Sequence, residues 1–391
     1  MNLLYLDIHP VPDIQPESLQ ILQTCDGLAA QGIKVTLVTP QAHQDAETIL
    51  GRPVAAGLAL QGLVAPWLSH HLFPRSSRWF YRACCREIQR SKADVILVRN
   101  LKLAEALLAS GMDIPLVFET HEVFATTYAE AHPHPSARQQ RKLRQLKQRE
   151  QRVYEKSSGL IVLTGLLRDD IRINYSTHVP IWVAPDGVDF FLADDARRSR
   201  PANVPSIALY LGSLHPWKGV ETAIRALPLV ANMVLHIAGG TESRIAELEA
   251  LAASLGVDHR VNLLGPVFPG ERFRLINDVD VCLLPLAQTS IGARYTSPLK
   301  LFEYMAMGKA IVASDLPSLR EVLQPEVNAL LTPPGDSLAL AKALTRLSED
   351  AELTEALGKQ ALVDSRRYGW QNRAKGIAGF LEMLLKRHVP L

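Results

Sequence analysis

The chain has 391 residues, of which 47% are hydrophobic, 21% charged and 6% aromatic. At about 100 to 200 residues per domain this is material for two substantial cores, and it excludes disorder, a collagen-like repeat or a coiled-coil rod as the main architecture. Lys and Arg total 42 against 40 Asp and Glu, so the formal net charge of +2 gives no reason to expect a nucleic-acid partner, and any basic character must be local.

The first half alternates strand-like and helix-like segments. NLLYLDI (2–8) is a compact apolar run. PESLQILQTCDGLAAQG (16–32) has Pro16 at a helix start, apolar positions at Leu19, Leu22 and Leu28, and Gly32 as its C-cap. Strand-like runs follow at 33–40, 93–100, 114–121, 159–164 and 179–188. Continuous apolar runs separated by helix-length stretches predict a parallel sheet covered on both faces. The polar, proline-bearing segment 194–206 predicts a domain boundary. The alternation then repeats, with strands at 206–213, 233–240, 261–267, 279–285 and 310–315. Helices are expected near 219–229, 242–255, 270–277, 298–307, 336–348 and 351–365, with a last amphipathic helix at 368–387. The expectation is two facing Rossmann-like α/β domains, 1–195 and 206–365, with residues 366–391 as a helix packing back on the first.

Cys25, Cys84, Cys85 and Cys282 form no CxxC pair and no spaced metal cluster, and no His pattern supports zinc, so no metal is expected. The N-terminus meets Asp7, His9 and two prolines too early for a secretory signal, and no apolar run reaches the ~18 residues of a membrane span, which predicts a cytoplasmic protein. Two segments are locally basic, 75–102 and 136–156, each with eight cations against two acids for a net of +6. They read either as the wetted faces of long helices or as surfaces for an anionic lipid or a phosphorylated acceptor, which would bring the protein to the inner face of a membrane. Trp79, Phe80 and Tyr81 within the first segment favour lipid if exposed and core if not.

No GxGxxG follows the first strand and no GxxxxGK[ST] occurs, which removes the best support for a dinucleotide oxidoreductase or a P-loop NTPase. The informative loops lie at strand ends in the second half, where open α/β sheets bind ligands. In YLGSLHPWKG, Gly212 allows close backbone approach, Ser213 offers a hydroxyl and Lys218 is a point charge suited to a diphosphate. In ARYTSPLKLFEYMAMGKAIVASD, Ser297 and Pro298 mark a helix start whose free N–H groups, at Leu299 and Lys300, can hold phosphate oxygens. Lys300 in a first turn opposes the helix dipole, which a bound anion explains. Glu303 reads as a ligand for a ribose diol or as an i,i+3 partner of Lys300. In FETHEVF, Glu119, His121 and Glu122 follow a strand, His121 as a donor to a sugar hydroxyl and the two acids as its orienters or as acceptor ligands.

GSLHPWKG, IAGG, LLGPV, DVCLLP and SPLKLFEYMAMGKAIVASD, in this order and spacing, resemble the nucleotide-binding domain of family 4 retaining glycosyltransferases, in a variant with SPLKLFEYMA. The resemblance implies the GT-B arrangement of two Rossmann-like domains and transfer of a hexose from a nucleotide diphosphate sugar, UDP- or GDP-linked, to a hydroxyl acceptor, lipid-linked or phosphorylated, in cell-surface glycan or glycolipid synthesis; a sugar-nucleotide epimerase, a phosphorylase or a non-catalytic nucleotide-sugar-binding protein are the alternatives. It implies no cofactor and no metal. By position, Lys218 resembles the family's diphosphate lysine, Glu303 the ribose glutamate of its E-x7-E motif, and His121 the histidine facing the donor sugar. The first glutamate of that motif is replaced by Tyr295 and an expected arginine by Ser213, which leaves Arg294 as the substitute cation.

Overall fold

The computed structural model describes residues 1–64, 78–198 and 206–388. The chain forms two compact units, Met1–Pro185 together with the helix beginning at Trp370, and Asp186–Gly369. Arg75 of the first basic segment, most of the 194–206 linker and the histidines at 70 and 71 lie outside the described residues.

In the first unit, β1 (Asn2–Leu6), β2 (Lys34–Pro40), β3 (Leu58–Leu63), β4 (Val95–Val98), β5 (Leu116–Thr120), β6 (Gly159–Val162) and β7 (Ile181–Val183) form one sheet in the order β3-β2-β1-β4-β5-β6-β7. All neighbours are parallel. The central strands are buried along their length, as continuous apolar runs such as VILV and GLIV require when helices cover both faces. The edge strand β3 carries no signal in the sequence, because LALQGL is half exposed and interrupted by Gln61 and Gly62. The C-terminal helix Trp370–His388 packs against helix Pro16–Ala30 of this unit.

The second unit contains β8 (Ser206–Leu211), β9 (Met233–Ala238), β10 (Val261–Gly265), β11 (Val281–Leu284), β12 (Ala310–Ser314) and β13 (Leu330–Thr332), in the parallel order β10-β9-β8-β11-β12-β13. Two apolar clusters fill its two faces, one built around Tyr210, Leu235, Ile237 and Leu283, the other around Leu209, Cys282, Phe302 and Tyr304. Asp280 belongs to the frame: its carboxylate accepts the Ile207 N–H at 2.7 Å, and its own N–H donates to Ile207 O, which locks the start of β11 to β8.

The basic segments take different forms. Residues 78–102 are split by β4 into a helix (Arg78–Arg90), the strand and the start of a second helix, and Phe80 is core with Trp79 edge-on to it at 5.6 Å. The helix Ala137–Lys156 buries only Glu150, Val153 and Tyr154, all in its C-terminal half, and carries Arg138, Arg141, Arg144 and Lys147 exposed. Among the described residues, no helix is long and apolar enough to cross a membrane.

Candidate functional site

Sheet order fixes where each unit can bind a ligand. In the second, β9 and β11 flank β8, and the chain leaves β8 toward one side and enters β11 on the other; the crevice between their C-terminal ends is a topological switch point. Both predicted donor segments lie at the C-terminal ends of this sheet's strands. Gly212 follows β8 with φ +131°, and a Cβ there would stand 3.1 Å from Lys300 Nζ, so only glycine lets the lysine head lie against this backbone. The loop turns back at Gly219, φ +69°, where a Cβ would meet Pro285 O at 1.8 Å. This contact holds the Pro216–Lys218 turn against the loop after β11.

Lys300 is the most informative side chain. It is 8% exposed, its Nζ has no hydrogen-bond partner, and the head sits 3.7 Å above the Tyr210 ring. Burial first, and the nearby Lys218 charge second, push its pKa well below the ordinary lysine range, against the pull of Glu303. Lys218, its head 3.6 Å above the Trp217 ring, is pushed down by burial to about 8. Two partly desolvated ammonium groups raise each other's cost, and an anion between them removes it. The Tyr210 hydroxyl donates to Ser213 O at 2.6 Å and the Leu211 N–H donates to the Tyr304 hydroxyl at 3.0 Å, which fixes the loop under Lys300. Ser213 itself is exposed.

The helix expected to begin at Pro298 runs Leu299–Ala306 with Pro298 as its N-cap residue; the Leu301 N–H turns back to Pro298 O at 2.9 Å, and the N–H groups of Leu299 and Lys300 have no intrahelical acceptor. Ser297 does not cap it. Its Oγ accepts the Asp186 N–H at 2.9 Å and ties the helix start to the beginning of the unit. Glu303, 5% exposed, is paired with Arg272 Nη1 at 3.0 Å rather than with Lys300. Arg272 was not legible in the sequence, because it comes from a helix (Arg272–Asn277) 31 positions before Glu303 and nothing local marks it. Tyr295 is 2% exposed and Arg294 half exposed, both in the turn Ile291–Tyr295.

The first unit carries its own cluster at the C-terminal end of β5. Glu119 is fully buried, and its Oε1 accepts from Gln20 Nε2 at 2.9 Å, His121 Nε2 at 2.9 Å and Arg373 Nη2 at 2.6 Å. Burial pulls its pKa up, but Arg373, the His121 hydrogen bond and Arg99 win and hold it far below the carboxylate range. Burial and the Arg99 charge push His121 down to about 4, against Glu119. With Glu119 ionised and acceptor-only, the neutral imidazole must place its proton on Nε2, which leaves Nδ1 as an acceptor. In this tautomer the nitrogen not bound to Glu119 is an acceptor. Glu122 accepts from the Thr127 hydroxyl, while burial raises its pKa. Arg373 also donates to Ala184 O and, at 3.2 Å, to Pro185 O, so the C-terminal helix closes the cluster. Nothing local marks Arg373 in the sequence, because it lies 254 positions from Glu119. Among the described residues, no group of three or more His, Cys, Asp or Glu is arranged to hold a metal ion.

Comparison with known proteins adds an independent line. A family model described as Glycosyltransferase Family 4 matches residues 19–190 and one described as Glycosyl transferases group 1 matches 205–350. A D-inositol 3-phosphate glycosyltransferase of Xylanimonas cellulosilytica is 30% identical over 302 residues, 72% of this chain and 69% of the relative. Its namesake from Corynebacterium glutamicum is 24% identical over 95% of this chain and 94% of its own. Among solved structures, sucrose-phosphate synthase from Thermosynechococcus elongatus superposes with TM-score 0.80 at 20% identity, covering 99% of both chains. HepE from Anabaena, solved in complex with UDP-glucose, gives TM-score 0.72 at 19% identity over 98% of this chain and 100% of its own. These two show the shared fold.

Proposed function

Because this chain belongs to the family 4 glycosyltransferases, we propose that it is a retaining enzyme that moves a hexose from a nucleotide diphosphate sugar to a hydroxyl of a phosphorylated or lipid-linked acceptor. The observation that carries the reading is Lys300: a buried, unpartnered ammonium next to a second cation, over a glycine and at the mouth of a helix start. In an isolated protein that arrangement costs stability, and a diphosphate is the ligand that removes the cost.

The chemistry follows from charge. As the bond between the anomeric carbon and the diphosphate oxygen breaks, negative charge grows on the leaving group, where Lys218, Lys300 and the first-turn N–H groups at Leu299 and Lys300 are already oriented. The acceptor hydroxyl attacks the same face, its oxygen forming the new bond while its proton passes to the departing phosphate oxygen. No enzymic nucleophile is needed, and the configuration at the anomeric carbon is kept. Glu303, held by Arg272, accepts hydrogen bonds from the ribose diol. In this reading Arg294 adds positive charge on the diphosphate side, Tyr295 and Ser213 shape the donor loop without adding charge, and His121 Nδ1 accepts from a sugar hydroxyl. The names of the curated relatives specify a phosphorylated polyol as acceptor, which supports that class here.

A panel of UDP-, GDP- and ADP-sugars tests the reading by thermal shift, since a donor at about 100 times its Kd adds ~2.7 kcal/mol to the native state. The matching donor is expected to raise the melting temperature of the parent protein and not of Lys218→Ala. A protein that no nucleotide sugar stabilises is not this enzyme.

A further inference from the structure

One side chain of the cluster after β5 comes from the first turn of the C-terminal helix. Arg373 is 7% exposed, and each of its three nitrogens donates within the first unit. Nη2 donates to Glu119 Oε1 at 2.6 Å, Nη1 to Ala184 O and Pro185 O just after β7, and Nε to Thr24 Oγ1 at 3.4 Å on the helix Pro16–Ala30. The contacts away from Glu119 fix the plane of the guanidinium, so the charge is placed by the fold and the carboxylate meets it where it stands.

All the direct contacts to Glu119 fall on Oε1, which takes Gln20, His121 and Arg373, while Oε2 has no partner among the described residues. Of the three donors only Arg373 carries a fixed positive charge. Burial works to protonate Glu119, and the Arg373 charge is the largest influence against it, ahead of His121 and Arg99. Nothing else facing the carboxylate replaces that charge: burial pushes the Tyr5 and Cys25 pKa values up and keeps both neutral, and Asp7, one strand end beyond Arg99, brings no positive charge. Without the guanidinium, burial wins and Glu119 takes one proton from solvent. A protonated carboxyl donates to the imidazole instead of accepting from it, so Nε2 becomes an acceptor and the neutral ring carries its single proton on Nδ1.

We propose that Arg373 is a positioning residue for sugar transfer: from the C-terminal helix it keeps Glu119 an acceptor, which keeps the His121 proton on Nε2 and leaves Nδ1 open to accept from a sugar hydroxyl. The role in transfer rests on the glycosyltransferase reading; the control of the tautomer does not.

The test reads the ring directly. Long-range proton–nitrogen correlation spectra of the full-length protein at pH 7, with His121 identified by its loss in His121→Gln, distinguish a ring protonated on Nε2 from one protonated on Nδ1. The expected result is Nε2–H in the parent, Nδ1–H in Arg373→Gln, which keeps hydrogen-bond donors and loses the charge, and Nε2–H again in Arg373→Lys. Turnover is followed as hydrolysis of whichever sugar nucleotide stabilises the parent; its kcat/KM is expected to fall about tenfold in Arg373→Gln, the loss of one hydrogen bond, and to be largely restored in Arg373→Lys. A ring that stays Nε2–H in Arg373→Gln overturns the proposal even if turnover falls, and a tautomer that switches with turnover unchanged overturns the positioning role. Should Arg373→Gln fail to fold, the parent and Arg373→Lys decide, since an Nδ1–H ring in either one overturns the argument from charge. If no sugar nucleotide binds while the tautomer switches as expected, only the transferase reading falls; if the donor binds and the ring does not switch, only the role of Arg373 does.

Discussion

Replacing Lys300 with Met is expected to stabilise the free protein while removing its affinity for the donor. The side chain is buried at 8% exposure with no hydrogen-bond partner and a like charge nearby, so the native state bears an uncompensated desolvation cost. Such costs run to several kcal/mol per buried ion, and the cation–π contact with Tyr210 at 3.7 Å returns about 1 to 2 kcal/mol. Methionine has similar volume and adapts to irregular space, so no cavity is created. The net gain is expected to be about 1 to 3 kcal/mol in urea unfolding at pH 7 without ligand. Calorimetry with the nucleotide diphosphate on the same variant should show affinity about 10- to 100-fold weaker, the loss of one strong charge-assisted hydrogen bond. The paired signs are the diagnostic feature. A variant that is less stable than the parent and binds nucleotide as tightly refutes the idea that Lys300 is held in strain for an anion.

Glu303→Gln and Arg272→Met are expected to weaken the intact sugar nucleotide and the free nucleotide diphosphate in parallel, by ~1 to 2 kcal/mol each, and titration with both ligands checks this. A loss confined to the sugar-bearing ligand would move the pair to the sugar end. Arg373→Met should cost about 3 to 5 kcal/mol because it strands the buried Glu119 carboxylate, and adding Glu119→Gln should recover part of the loss; an additive double mutant in denaturant unfolding would deny the coupling. His121 titrates near 4 in the native protein against an ordinary 6.5. Between those values the unfolded chain binds a proton that the native state does not, so stability intact above pH 6.5 falls as pH drops toward 4, by about 3 kcal/mol in all. His121→Gln should remove this part of the pH dependence, which parallel urea titrations at pH 7 and pH 4.5 will show.

Runs such as VILV and GLIV, spaced by amphipathic stretches, were enough to specify parallel sheets covered on both faces, because burial on both sides requires continuous apolar sequence wherever the strand lies. The same locality made Gly212, Lys218, Lys300 and Glu303 visible: each sits beside the strand end or helix start that gives it a role, within a few residues of chain. What the sequence could not show depends on partners far apart along it. Arg272 reaches Glu303 from another helix, Arg373 reaches Glu119 across 254 positions, and Asp7, Arg99 and Glu119 become neighbours only through strand order. Protonation belongs to the same class. Whether Lys300 is strained or solvated, and which nitrogen His121 presents, depends on burial and on charges brought near by the fold, so local sequence supplied the chemical groups and tertiary structure set their charge and direction.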